Sequence, residues 1–366
     1  MDLATILERY GDSAVLAVGG AAIGALFGFF AQRSRFCLRA AVIEFWHRSF
    51  GEKLSVWLFA FSTAVVSVQA LLLTHNLDIS TSRQIATRGS LSGALIGGLV
   101  FGAGMIMTRG CASRLLVLSA NGNLRALLSG LIFAVSAQAS LSGALAPLRT
   151  DVSAWWTVEG GASRDLLAIT GVGPWGGLIA GLAWLVAALY FTWRSPRQSQ
   201  WLWMGGMGVG LAVAAGWWFN YWVSTQSFEA IAVQGLTFSG PSAEWLMRVL
   251  VTPGPRIGFE FGLLPGVFAG SFLGAWLGKD LKLEGFKDGY SMTRYILGAI
   301  LMGFGSMLAG GCAVGAGMTG GSIFAVTAWL TLLGMWAGAG LMDRLLDGNQ
   351  RPAPTSNAGQ TPAKAT

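Results

Sequence analysis

Two of the three cysteines of this chain sit in the same pattern of residues. Gly102, Gly104 and Gly110 stand nine, seven and one positions before Cys111, and Gly303, Gly305 and Gly311 stand at the same offsets before Cys312. An alanine follows each cysteine (Ala112, Ala313). The third cysteine lies in Gln32-Arg33-Ser34-Arg35-Phe36-Cys37-Leu38-Arg39, with three arginines within four positions of it. A single cysteine in an apolar run is ordinarily a small buried hydrophobe. Two cysteines in the same glycine turn are better candidates for chemistry. Gly110 and Gly311 remove the side chain beside each thiol, so that a ligand or another backbone can come close. The free N–H groups of a helix starting there form a ready anion site. A thiol in an apolar setting stays S–H, because burial disfavours the thiolate. It is then a weak donor suited to a soft anionic sulfur, and conduction needs binding that is easily released.

The arginines near these turns, Arg33, Arg35, Arg109 and Arg114, read in two ways: as cytoplasmic anchors of the helix ends, or as basic mouths for an anion. Met105, Met107, Met302, Met307 and Met318 cluster nearby and are expected to fill gaps in the packing. Cysteine with methionine also suits Cu(I), but the arginines oppose a cation and no C-x-x-C pair is present. His47 and His75 fall in loops, and no Walker loop occurs. No catalytic, metal or cofactor set is therefore expected.

What must position these residues is a membrane domain. Of the 366 residues 53% are hydrophobic and 11% charged, less than half the charge of an average soluble domain. The 53 glycines and 16 tryptophans fit close helix packing in lipid and an interfacial aromatic belt. The net charge of +7 comes from loop Lys and Arg and is not read as nucleic-acid binding. Asp2, Glu8 and Asp12 precede the first apolar run, where a cleaved signal would carry a basic region. Nine runs are long enough to span a bilayer: 13–31, 55–74, 89–107, 123–143, 174–193, 203–222, 259–279, 293–309 and 320–341. The tail 347–366, rich in Pro, Ala, Thr, Asn and Gln, is expected to be disordered, leaving 1–346 as the membrane domain. The loops after the odd-numbered spans hold 17 of the 24 Lys and Arg, and the opposite side holds 7. The positive-inside rule then puts the N-terminus outside and the C-terminus in the cytoplasm.

Four apolar stretches are too short to cross: Phe36–Trp46, Ala112–Ser119, Ser242–Val251 and Ala313–Met318. Short helices at membrane depth must be covered by protein or line a cavity, so these are re-entrant candidates. The glycine–cysteine turns end spans 3 and 8. A displacement of five spans makes them enter from opposite faces, as in an inverted repeat, with halves 13–143 and 203–341 and span 174–193 as connector. The expected fold class is an all-α integral membrane protein of about nine transmembrane helices with short re-entrant helices.

At these residues the chain resembles the YeeE/YedE family of sulfur transporters, whose characterised activity is thiosulfate uptake. The resemblance rests on the turns at Cys111 and Cys312, on Cys37 and on the span count, and covers the chain to about Met342. It implies a bacterial inner-membrane protein, not an enzyme, built as an hourglass with inverted repeats. It also implies that thiosulfate passes by successive hydrogen bonds to the thiols of Cys312, Cys111 and Cys37, in that order from outside, with close approach at Gly110 and Gly311. A small cytoplasmic sulfurtransferase, fused in some relatives, would here be a separate partner. The stretch Pro147–Asp165 has no assigned role.

Two other readings stay open from the residues alone. One is a membrane-embedded thiol–disulfide redox protein, which requires Cys111 and Cys312 to approach within about 7 Å between Cα atoms. The other is a transporter of a selenium species, sulfite or Cu(I). Moving a dianion into a negative cytoplasm costs about twice 2.3 kcal/mol per 100 mV, so uptake needs a coupled ion, a steep gradient or rapid consumption. Glu260 is a candidate ion site, or an interfacial carboxylate.

Overall fold

The structure, a computed structural model, describes residues 7, 9–194, 200–227, 231–251, 258–285 and 289–346. The expected disordered tail 347–366 lies outside them. Long helices run over Asp12–Arg33 (α1), Glu52–Leu73 (α3), Leu91–Met107 (α5), Leu124–Ser142 (α7), Pro174–Arg194 (α10), Gln200–Ser224 (α11), Phe259–Gly278 (α13), Gly289–Leu308 (α14) and Val326–Leu346 (α15). Eight of them contain stretches long and apolar enough to cross a bilayer. The ninth, α15, brings Asp343 and Arg344 into its last turn and packs along α5. The chain is an all-α integral membrane protein. Its one strand pair among the described residues is Gly89–Ser90 with Thr157–Val158.

Short helices fall where the sequence predicts re-entrant segments: Leu38–Trp46 (α2), Ala112–Ala120 (α6), Ser239–Leu250 (α12) and a π-helix over Ala313–Gly320. Smaller helices, Arg83–Ala86 (α4), Ala146–Ala154 (α8) and Leu166–Thr170 (α9), decorate the loops. Because 313–325 is used up by the π-helix and a turn, α15 begins six residues later than the predicted 320. Local signals fix several starts. Ser90 Oγ accepts the Gly93 N–H at 2.8 Å before α5, and Asn123 Oδ1 accepts the Ala126 N–H at 2.9 Å before α7.

Small residues decide which helices pair. Gly20, Gly24 and Gly28 of α1 lie on the backbone carbonyls of Phe259, Leu263 and Val267, while Gly262, Gly266 and Gly270 of α13 lie on those of Ala17, Ala21 and Ala25. The same meshing joins α5 to α15, where a Cβ at Gly334 would stand 2.7 Å from the Leu95 carbonyl oxygen. In lipid such close backbone approach supplies the packing that the hydrophobic effect does not.

The glycines of the repeated motif belong to this scheme. Gly102 meets α15 and Gly104 meets α14, where a Cβ would stand 2.7 Å from Met302 N. Gly303 meets α7, 2.8 Å from Phe133 O, and Gly305 meets α5, 2.6 Å from Phe101 N. The two copies thus do matching packing work. Elsewhere α1 packs on α13 and α11 on α3; α5 packs on α15 and α7 on α14. Helix α2 touches α3 and α15 as α12 touches α13 and α7; α6 touches α7 and α13 as the π-helix touches α15 and α3. Exchanging α1, α2, α3, α5, α6 and α7 with α11, α12, α13, α14, the π-helix and α15 maps every one of these pairs onto another. Helix α10 stands outside the exchange, flanking α3.

Candidate functional site

All three cysteines follow one backbone motif. After α1, the Ser34, Arg35 and Phe36 N–H groups donate to Phe30, Gln32 and Ala31 carbonyls at 2.9, 3.1 and 3.0 Å. After α5, Thr108, Arg109 and Gly110 donate to Gly104, Ile106 and Met105; after α14, Ala309, Gly310 and Gly311 donate to Gly305, Met307 and Ser306. The offsets are identical, and the bond reaching back five residues is the Schellman closure of a helix C-terminus. Its left-handed residue lies two before each cysteine: Arg35 (φ 54°), Arg109 (φ 58°) and Gly310 (φ 78°). The cysteine then turns extended and becomes the N-cap of the next short helix, its carbonyl accepting from Ala41, Leu115 or Ala316 at 3.3, 2.9 and 2.8 Å. The π-helix after Cys312 arises because Gly317 N–H also donates to the Cys312 carbonyl, at 3.4 Å; π-turns of this kind are frequent at functional sites.

None of the three short helices has a side-chain cap, so their first N–H groups remain available near the thiols. The Cys37 sulfur faces the Ala40 N–H and the Cys111 sulfur faces the Arg114 N–H, without closing regular caps. Cys111 and Cys312 are buried and Cys37 is half-buried. The Cys37 and Cys111 thiols are neighbours, and Cys111 Sγ lies 3.4 Å from Ser113 Oγ. The close pair is therefore Cys37–Cys111, from turns after α1 and α5. Helix α6 also touches the π-helix that Cys312 caps.

The two glycines before the repeated cysteines differ. A Cβ at Gly311 would press 2.7 Å from Ala316 N, so that turn requires glycine. At Gly110 it would meet only ordinary contacts of 3.5 Å or more, from Leu115 and Arg114. Packing of the turn itself thus demands glycine at Gly311 and leaves room at Gly110. The Arg109 side chain is exposed, beside Tyr295, and lines neither cavity described below. The cation beside the thiols is Arg114, whose charge acts on both Cys37 and Cys111. Arg33 lies over the Trp201 ring at 5.0 Å, an interfacial placement. Met105, Met302 and Met318 are fully buried core residues.

Two cavities open at opposite ends of the helices. A wide one of about 720 Å³ takes its walls from segments after α3, α7 and α11, and reaches the Cys312 turn at Gly310, Gly315 and Ala316. Arg83, Arg88, Arg149 and Arg164 line it, together with Glu244 and Glu260. Sorting cations by loop hides this arrangement: four of the few basic residues on that side converge on one cavity, where field lines are focused. The stretch Pro147–Asp165 acquires a role here. Arg164, 6% exposed, ties the wall together, donating to Arg83 O at 3.1 Å, Thr87 O at 2.6 Å and Thr327 Oγ1 at 2.7 Å. A narrower cavity of about 240 Å³ lies after α1, α6 and α13, lined by Gln32, Arg35, Arg114, Asn121, Asp280 and Lys282 among others.

A helical membrane protein with cavities at both ends, leading toward buried thiols on short helices, has the build of a membrane transporter. The Sulphur transport family model matches residues 33–341, and the chain belongs to that family. It is 27% identical to the thiosulfate transporter TsuA of Spirochaeta thermophila over 347 residues, covering 89% of this chain and 98% of that protein. It is 24% identical to the thiosulfate transporter TsuA of Escherichia coli over 351 residues, covering 89% and 94%. The chain is thus a sulfur transporter and not an enzyme.

Proposed function

We propose that this chain takes up thiosulfate into the bacterial cytoplasm across the inner membrane. The anion enters the wide cavity from outside, passes Cys312, then Cys111 and Cys37, and leaves through the narrow cavity. The observation that carries the reading is the shared motif: three thiols, each at an uncapped helix N-terminus, between two basic cavities. Each thiol offers a weak S–H donor to the terminal sulfur while backbone N–H groups attract the charge. Weak thiol donors along the path keep release fast.

The exchange of helix partners supports halves 13–143 and 203–341 about connector 174–193. The distribution of Lys and Arg supports an outside N-terminus and a cytoplasmic C-terminus. A separate small sulfurtransferase is the proposed acceptor at the narrow cavity, and its consumption of thiosulfate would help to draw the dianion forward. The test is uptake of labelled thiosulfate by cells lacking their own sulfur-anion importers, with this chain or an empty vector. Uptake that resists excess sulfate supports the reading; uptake no greater than vector at confirmed membrane expression overturns it.

A further inference from the structure

The narrow cavity contains polar groups that the thiol path does not use. The side chain of Arg114, the third residue of α6, makes no hydrogen bond and no ion pair with any described residue, and its buried Nη1 has no partner. Gln32 (4% exposed) and Asn121 (8% exposed) line the same cavity, and their Oε1 and Oδ1 are likewise buried without partners. Arg114 is half-buried, and leaving its buried nitrogen and two buried amide oxygens without partners is destabilising. Three such groups around one void are a built polar site, not a defect of packing. The carboxylates of the cavity leave it open: Asp280 acts on Arg114 without forming an ion pair, and Glu284 is held by Asn123 Nδ2 at 2.6 Å.

We infer that Arg114, with Gln32 and Asn121, forms a second anion site at the narrow end, which takes the oxygen end of a small tetrahedral dianion while Cys37 and Cys111 face its terminal sulfur. This rests on the proposed thiosulfate path and adds its specificity device. A guanidinium matches oxyanion oxygens with a planar fork of donors. Either amide can turn its NH₂ inward by a 180° flip, which costs little where neither end is bonded. Thiosulfate satisfies both halves of the site, its hard oxygens on Arg114 and its soft sulfur on the thiol pair. Sulfate satisfies only the first. Discrimination then comes from two-point recognition, and Arg114 is a positioning residue for the anion on its way out.

The experiment is calorimetric titration of the purified full chain in lipid nanodiscs with sodium thiosulfate and, separately, sodium sulfate. Wild type, Arg114→Gln, Arg114→Lys and Asn121→Ala are compared, with melting curves to check folding and uptake measured in parallel. Arg114→Gln is expected to weaken thiosulfate binding at least tenfold, about 1.4 kcal/mol, and to abolish weak sulfate binding. Arg114→Lys should recover part of the affinity, and Asn121→Ala should lose severalfold. Folded Arg114→Gln protein with unchanged thiosulfate affinity overturns the inference. If wild type binds thiosulfate through Arg114 yet transports none, the site stands and the uptake reading fails; if it transports with no dependence on Arg114, the reverse holds.

Discussion

The backbone of the cysteine turns can be tested by exchanging residues between equivalent positions. Position −2 before the cysteine is left-handed in both repeats, filled by Arg109 at φ 58° in one and by Gly310 at φ 78° in the other. A non-glycine residue in that region costs about 1–2 kcal/mol, and the extra freedom of glycine in the unfolded chain offsets about 0.5–1 kcal/mol of the gain from relieving it. Arg109→Gly should therefore stabilise by about 0.5–1 kcal/mol, and Gly310→Ala should destabilise by about as much. Both sites isolate the dihedral term. The Arg109 side chain is exposed, so its loss removes little, and a Cβ at Gly310 meets nothing within 4 Å. Melting of purified protein in one detergent should show shifts of opposite sign, each of order 2 °C. Two downward shifts, or none, would refute the claim that the turns share one strained geometry.

Further predictions concern packing, wall and thiols. Gly334→Ala puts a methyl 2.7 Å from the Leu95 carbonyl oxygen and should cost about 1–3 kcal/mol, seen as a lower melting temperature, with Gly334→Leu failing to accumulate; normal melting of both would contradict the α5–α15 contact. Arg164→Ala strips three acceptors of their donor and is expected to destabilise by about 1–3 kcal/mol and to slow uptake; unchanged melting and uptake would show that the wall stands without it. Mild oxidant should join Cys37 to Cys111, the neighbouring pair, and block uptake reversibly, leaving Cys312 free in peptide mapping; a Cys111–Cys312 product would contradict this placement.

Much of the fold was legible because hydropathy and the period of small residues act locally. Each of the nine predicted spans overlaps a long helix, and each predicted short apolar stretch overlaps a short helix. The kinship of Cys111 and Cys312 was legible because both turns use glycine at −1. Membership of Cys37 in the same motif was hidden, since positions −2 and −1 there are Arg35 and Phe36, and a left-handed arginine leaves no compositional trace. Which of Arg109 and Arg114 stands beside the thiols was hidden as well: Arg109, at the left-handed turn position, is exposed, whereas the third residue of the following helix faces back to its N-cap. Convergence of Arg83, Arg88, Arg149 and Arg164 on one cavity is a tertiary fact that counting charges by loop does not reach. His47, placed by sequence in a loop, meets buried Asp343 at 2.7 Å from 296 positions away, a contact equally invisible to local reasoning.

The buried thiols are proposed to form the path. Uptake of labelled thiosulfate into proteoliposomes, with the full chain compared to its Cys111→Ala variant at equal reconstituted amounts and matched melting temperatures, tests it most directly. Uptake by the wild type and little or none by the variant is expected, since the proposed path runs through Cys111. Equal uptake by both would make Cys111 a packing residue and would contradict the proposed path.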